Sequence, residues 1–116
     1  MDERTEKAFQ VANYFATLSS QKKVILEEFN QKLIHYQNGG TFKITRELIA
    51  FVKLMLDRGI DTDVMLLDDN NIPIKIDNLA EFYETIFSSY FEAINEYASK
   101  YHSIRTKRKV QDLIDL

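Results

Sequence analysis

Few residues in this 116-residue chain are of the types that carry out chemistry. His35 and His102 are its two histidines, and neither has a second histidine or a carboxylate at the helical spacing of a metal site. Cysteine is absent, which excludes thiolate metal sites, cysteine nucleophiles and disulfides. No serine or threonine lies in the sharp-turn motif of hydrolase nucleophiles. We therefore predict no catalytic, cofactor-binding or metal-binding residue, and no enzymatic activity.

The acidic segment from residue 61 to residue 71 is the part of the sequence that most resembles a cation site. A calcium loop of the EF-hand type needs alternating ligands, a central glycine and a terminal glutamate, and this segment places none of them correctly. Gly39-Gly40 likewise lacks the lysine of a phosphate-binding loop. Gly39-Gly40 and the acidic and amide residues of the acidic segment are predicted to lie in turns. The acidic and amide residues concerned are Asp61, Asp63, Asp68, Asp69, Asn70 and Asn71.

Aromatic residues concentrated near the C-terminus are the best candidates for contacts with another protein. Their helical spacing, with acidic residues on the opposite face of the helix, favours packing in a core or between chains over stacking on nucleobases. At the end of the chain, residues 112–116 alternate leucine and isoleucine with acidic side chains. They suit either an apolar groove on a larger protein or a return onto their own domain. The predicted partner-binding residues are Tyr90, Phe91, Tyr97, Tyr101, Leu113, Ile114 and Leu116.

Charge is unevenly distributed along a chain whose net charge is −3. Acids dominate from Asp57 to Glu96, whereas bases without acids occupy residues 100–109. Cations at a helix C-terminus complement the helix dipole, and we favour this explanation over nucleic-acid binding because the rest of the chain repels phosphate. The residues that would contact nucleic acid or an acidic partner in the alternative are Lys100, Arg105, Lys107, Arg108 and Lys109.

Two long helices are predicted to position these residues. Residues 77–109 carry apolar side chains every three or four positions, which predicts a helix of roughly 45 Å, with Asp77 as its N-cap. Residues 4–38 form either one helix with a seven-residue apolar seam, which we favour, or two helices with a break at Ser19 or Ser20. Asn38-Gly39-Gly40 ends this helix in either case.

The segment between the long helices contains shorter elements. Residues 41–44 are an edge strand or an extended lead-in, and Thr45 caps a helix that reaches Arg58. Apolar residues cover most of the circumference of that helix, so it is predicted to be the most buried element. Two β-prone runs within residues 64–76 predict a hairpin, with Pro73 at an edge.

The predicted fold class is therefore α+β, mostly α, with two long antiparallel helices, a short buried helix and a small β-hairpin. Residues 1–109 form a single domain and residues 110–116 a C-terminal tail. The sequence shows no secretory signal and no apolar stretch of membrane-spanning length, so we expect a cytoplasmic protein without a membrane partner.

Four stretches carry a resemblance to small uncharacterised proteins of contractile-tailed bacteriophages infecting cyanobacteria. They are residues 41–49, residues 67–74, Tyr90-Phe91-Glu92-Ala93 and Lys107-Arg108-Lys109-Val110. The resemblance implies a viral product that works in the host cytoplasm or is built into a virion, and it implies no site residue.

Together these observations predict a non-enzymatic interaction or assembly factor without a cofactor. We expect it to form a homo-oligomer, specifically a dimer, through its long helices, or to bind a larger phage or host protein. An accessory role in phage nucleic-acid transactions is the alternative.

Overall fold

A computed structural model describes residues 2–106 of the chain, and it confirms the mostly helical α+β class. Contacts divide the chain into two compact units: unit 1 is Met1–Phe29 with Asn95–Leu116, and unit 2 is Asn30–Ile94. None of the helices in the described part is both long and apolar enough to cross a membrane. The elements in chain order are α1 (Glu3–Lys32), β1 (Ile34–Gln37), β2 (Gly40–Lys43), α2 (Arg46–Asp57), β3 (Thr62–Leu67), β4 (Pro73–Asn78) and α3 (Leu79–Thr106).

Helix α1 is a single helix of 30 residues that continues through Ser19 and Ser20 without a break. The side chain of Asp2 accepts a hydrogen bond from the Thr5 amide at 2.8 Å, which satisfies one of the unpaired donors at the helix start. The helix ends at Lys32, six residues before the predicted end at Asn38. The residues after Lys32 form a strand instead.

Strands β1 and β2 form a hairpin around Asn38 and Gly39. Both turn residues have positive φ, 51° and 81°, and Asn-Gly is the pair best suited to a two-residue hairpin turn with this backbone. Gln37 therefore pairs with Gly40, and Ile34 pairs with Lys43. Residues 34–37 exchange helical hydrogen bonds for these ladder bonds, which explains why the helical prediction was wrong for them.

Strands β3 and β4 form the predicted hairpin, and it extends to Thr62 and Asn78, beyond the predicted residues 64–76. Val64 pairs with Ile76 and Leu66 pairs with Ile74, and all four side chains are buried on one face. Pro73 begins β4 opposite Leu67 on the exposed face, consistent with its predicted edge position. Alternation along the strands thus gives one covered face and one open face.

The two hairpins are joined through aspartates in the turn between β3 and β4. The buried carboxylate of Asp68 accepts hydrogen bonds from the backbone amides of Asn70 and Ile72, each at 2.9 Å, and of Thr41 at 3.1 Å. The side chain of Asp69 accepts a further bond from the Lys43 amide at 3.0 Å. Backbone donors on β2 that would otherwise lack partners are satisfied in this way.

Helix α2 begins as predicted, because the Thr45 hydroxyl accepts a hydrogen bond from the Leu48 amide at 3.0 Å. The prediction that this helix is the most buried element is not confirmed. Val52 is its one fully buried residue, whereas Phe51 and Leu54 are 53% and 54% exposed. The helix covers the core with one side only, since unit 2 has no further described element over the other side.

The core of unit 2 is formed by both hairpins, α2 and the first turns of α3. Helix α3 begins at Leu79 and is capped by Asn78, whose side chain accepts from the Glu81 amide at 3.0 Å, and not by Asp77 as predicted. Phe42 and Phe82 meet edge to face, with ring centroids 5.3 Å apart. The buried apolar residues are Leu33, Phe42, Ile44, Val52, Val64, Leu66, Ile74, Ile76, Leu79, Phe82, Ile86 and Ala93.

In unit 1, α1 packs against the last turns of α3 around a small core. Ile25 and Ile104 are its buried residues, and half-buried Tyr14, Leu18, Tyr97 and Tyr101 pack against them. Phe29 contacts Tyr97 with ring centroids 5.0 Å apart, whereas Lys22, two turns earlier in α1, lies over Tyr101. Because the contacts advance along α3 as they retreat along α1, the two segments run antiparallel within this unit.

Candidate interaction surfaces

In unit 2, helix α3 carries two rows of apolar residues with different surroundings. Leu79, Phe82, Ile86 and Ala93 form the buried row, which faces the core. A second row lies one residue further round the helix, at the four-residue spacing that places side chains on one face. This row, the α3 aromatic stripe, consists of Tyr83, Phe87 and Phe91.

The rings of the α3 aromatic stripe lie against one another along the helix surface. Ring centroids are 5.5 Å apart between Tyr83 and Phe87, and 4.8 Å apart between Phe87 and Phe91. Tyr90 lies beside the stripe and contacts Phe91 edge to face at 5.8 Å. Phe87 and Phe91 nevertheless remain 38% and 47% exposed, so the stripe is a continuous aromatic surface open to a partner.

Tyr97 and Tyr101, which the sequence also assigned to partner binding, contribute to unit 1. Both rings are half-buried against its core, and their centroids are 6.0 Å apart. The Lys22 ammonium group lies 5.4 Å from the centre of the Tyr101 ring, within range of a cation–π interaction. These two tyrosines are therefore more covered by their own chain than Phe87 and Phe91, which are both exposed.

The predicted basic contacts divide into two described residues and three that lie outside the description. Lys100 donates a hydrogen bond to Glu28 at 2.6 Å and pairs with Glu96 at 3.0 Å. The bond to Glu28, followed by that to Glu96, raises the pKa of Lys100 above its ordinary value. Arg105 is exposed near the end of α3. Lys107, Arg108 and Lys109, together with Leu113, Ile114 and Leu116, lie outside the described residues.

The first half of α1 forms a second open surface, this time in unit 1. Every residue from 2 to 13 is exposed. Three large apolar side chains here, Phe9, Val11 and Phe15, are 63%, 55% and 61% exposed, and we call them the α1 open surface. Val11 and Phe15 belong to the seven-residue apolar seam predicted within residues 4–38, but they were not predicted to bind a partner. The signal that could have identified them is the length of this seam, which is greater than one short partner segment can cover.

A small open cavity in unit 2, of about 340 Å³, brings His35 near two acids. The Nε2 atom of His35 is 2.7 Å from Oε1 of Gln37, and its ring packs edge-on against Phe82. The hydroxyl of Thr85 donates to the Glu81 carbonyl at 3.1 Å, so it is not paired with the histidine. Among residues 2–106 no group of three potential ligands is placed to hold a metal. The lining residues are His35, Gln37, Asn38, Asp77, Asn78, Glu81, Phe82 and Thr85.

Comparison of the chain with models of known families, with curated proteins and with solved structures gave no match. The α1 open surface and the α3 aromatic stripe are therefore the features of the chain from which a function can be inferred.

Proposed function

We propose that the chain is a non-enzymatic assembly factor that forms a homodimer through the α1 open surface. The observation that carries this proposal is the contrast along one seam of α1. Leu18 and Phe29 are at least half covered within unit 1 and Ile25 is buried, whereas Val11 and Phe15, on the same seam, are more than half exposed. Residues 11, 18 and 25 repeat every seven positions, as do 15, 22 and 29, which is the spacing of a coiled-coil contact.

Helix energetics support a partner for the uncovered half of the seam. Isolated helices shorter than about 12 to 15 residues are marginal in water, and helices in proteins are stabilised mainly by packing an apolar face. The first three turns of α1 have no such packing among the described residues. A second copy that covers Val11 and Phe15 would stabilise these turns and remove the two exposed apolar side chains from water.

Charge at the α1 open surface is compatible with a second copy of the same surface. Its first two turns contain Glu3 and Glu6 but also Arg4 and Lys7, and Lys7 pairs with Glu3 at 3.7 Å. Since both signs are present in equal number at these four positions, two such surfaces do not repel each other strongly. A two-fold dimer, in which the same patch meets itself, is the commonest closed arrangement.

The setting of this assembly is part of the proposal. The resemblance described above implies a bacteriophage product that acts in the host cytoplasm or in the virion. An assembly factor built from open helical surfaces is compatible with either location.

Sedimentation velocity over a range of concentrations tests the proposal. The wild-type chain should shift from monomer to dimer, and the double variant Val11→Ser, Phe15→Ser should stay monomeric over the same range. The matched control is Phe51→Ser, which removes a similarly exposed ring from α2 and should leave the dimer intact. A monomer at every concentration, or equal weakening by the control, would contradict the proposal.

Cross-linking provides a second readout because the chain has no cysteine of its own. The single variant Val11→Cys should form a disulfide-linked dimer under mild oxidation. Tyr36→Cys, at an exposed position on β1, is the control and should remain largely unlinked.

A further inference from the structure

The turn between β1 and β2 places a chemically reactive pair of residues on the surface of unit 2. Of the seven asparagines in the chain, Asn38 is the one followed by glycine. Asn38 and Gly39 are both exposed, and a Cβ atom added to Gly39 would meet nothing within 4 Å. Because Gln37 pairs with Gly40, the backbone amide of Gly39 lies outside the β-ladder. This amide nitrogen is therefore open to reaction with the side chain that precedes it.

We propose that Asn38 is a site of deamidation. The Gly39 nitrogen attacks Cγ of Asn38, the bond from Cγ to the side-chain nitrogen breaks, and ammonia leaves with the proton that Gly39 loses. Water then opens the cyclic imide, and it gives aspartate when it attacks Cγ and isoaspartate when it attacks the main-chain carbonyl carbon. Glycine favours the ring closure because it has no side chain beside the attacking nitrogen. Asparagine is also one of the labile residues of proteins at high temperature.

The other exposed asparagine with a left-handed backbone provides an internal comparison. Asn71 has a φ of 61°, against 51° for Asn38, and both residues are exposed. The residue that follows Asn71 is Ile72, whose branched side chain crowds the amide nitrogen. This amide also donates a hydrogen bond to the Asp68 carboxylate at 2.9 Å, so it is held away from the Asn71 side chain. We therefore expect Asn71 to keep its amide while Asn38 loses it.

Loss of the Asn38 amide has a structural consequence because this side chain contacts the other hairpin of unit 2. Its Nδ2 atom donates a hydrogen bond to the Lys75 carbonyl of β4 at 2.7 Å. A carboxylate at neutral pH has no proton to donate, so deamidation replaces the bond with repulsion between oxygens. Asn38 lines the same open cavity as Asp77 and Glu81, where the product adds a further negative charge. Deamidation therefore releases the turn between β1 and β2 from β4.

Incubation of the full chain at mildly alkaline pH, followed by peptide mapping in a mass spectrometer, tests the proposal. Base favours the reaction because it removes the proton of the Gly39 amide. The mass increase from an amide to an acid should appear first in the peptide that contains Asn38, with part of the product as isoaspartate. The peptide that contains Asn71 should keep its mass over the same period. An unchanged Asn38, or loss of the Asn71 amide at an equal rate, would overturn the inference.

Two variants separate the chemistry from its consequence. Asn38→Gln retains an amide on a longer side chain that closes the ring more slowly, so the mass increase at this position should disappear. Asn38→Asp reproduces one product directly and should lower the melting temperature by about 2 to 4 °C, the effect of losing one exposed hydrogen bond. If Asn38→Asp melts at the temperature of the wild type, deamidation does not release the turn, and that part of the inference is wrong.

Discussion

The two units of this chain hold their helices in place by different means. In unit 2, strands from two hairpins and helix α2 surround the start of α3, and twelve apolar residues are buried. In the described part of unit 1, Ile25 and Ile104 alone are buried, and the residues around them are half-exposed tyrosines and a leucine. A sheet face covers a helix more completely than a single antiparallel helix does.

This difference indicates where the chain depends on partners. Unit 2 has enough buried apolar area to fold around its own core, whereas unit 1 gains little from burial and leaves half of α1 uncovered. Regions with few buried apolar contacts open with lower free energy than a packed core. We therefore expect the stability of unit 1, more than that of unit 2, to increase on dimer formation.

The largest loss of stability is expected from Phe82→Ala in the core of unit 2. Phe82 is 1% exposed and contacts both Phe42 and His35, so its removal leaves a cavity that the sheets cannot close. We expect a loss of about 3 to 5 kcal/mol in the free energy of unfolding, measured by urea denaturation. Phe51→Ala, in the same unit but half exposed, should cost less than about 1 kcal/mol. Similar losses in the two variants would refute the description of this core.

A smaller and more local effect is expected from Ile104→Ala in unit 1. Deletion of a buried isoleucine typically costs about 2 to 5 kcal/mol, and we expect the lower end because the surrounding tyrosines are already half exposed. Hydrogen exchange should accelerate at residues 14–28 and 97–106, while the amides of β3 and β4 stay protected. Equal acceleration in both units would show that they unfold cooperatively, which would contradict the lower stability expected for unit 1.

Local sequence patterns predicted most of the elements of this fold. The helical period identified α1 and α3, Thr45 identified the start of α2, and the paired β-prone runs identified the hairpin of β3 and β4. Each of these depends on residues within one or two turns of each other, where side-chain spacing and capping decide the conformation. The same patterns made Phe91 a candidate for partner binding, and this residue is 47% exposed.

Interactions between distant segments could not be predicted in this way. The Asn38-Gly39 turn indicates a hairpin as strongly as it indicates a helix end, and only pairing with β2 decides between the two. Asp68 is 27 residues from Thr41, so its bridging role has no local signal. The half-exposed state of α2 depends on how many elements are available to cover it. The seven-residue seam of α1 predicted a contact with another helix, but it did not predict which half of α1 this contact would cover.

The hairpin of β1 and β2 requires glycine at position 40, a residue that was predicted only to help end a helix. A Cβ atom at this buried position would lie 2.6 Å from Cγ1 of Ile74. Because Ile74 is itself buried between strands, Gly40→Ala should cost about 1 to 3 kcal/mol by overpacking. Gly39→Ala is the matched comparison: it has open space but positive φ, so its cost is backbone strain. In the background of Ile74→Ala, which removes the clashing Cγ1 and Cδ1 atoms, Gly40→Ala should cost less than it does in the wild type. An equal cost in both backgrounds would contradict the steric explanation.

The smallest effect concerns the acid sensitivity of unit 2. A hydrogen bond from the amide of Ile72, followed by those from Thr41 and Asn70, holds the pKa of Asp68 below its ordinary value. Burial of the carboxylate opposes this lowering only in part. A lowered folded-state pKa contributes stability above the unfolded pKa of about 3.9, and this contribution is lost as pH falls through the folded pKa. The melting temperature should therefore fall as the pH is lowered below about 4, beyond the loss shown by Asp68→Asn. That variant lacks the titrating carboxylate and should already be less stable than the wild type at neutral pH. If the melting temperatures of both proteins fall equally between neutral pH and pH 3, the charge of Asp68 does not stabilise the link between the hairpins. The stability of unit 2 would then depend on its apolar core alone.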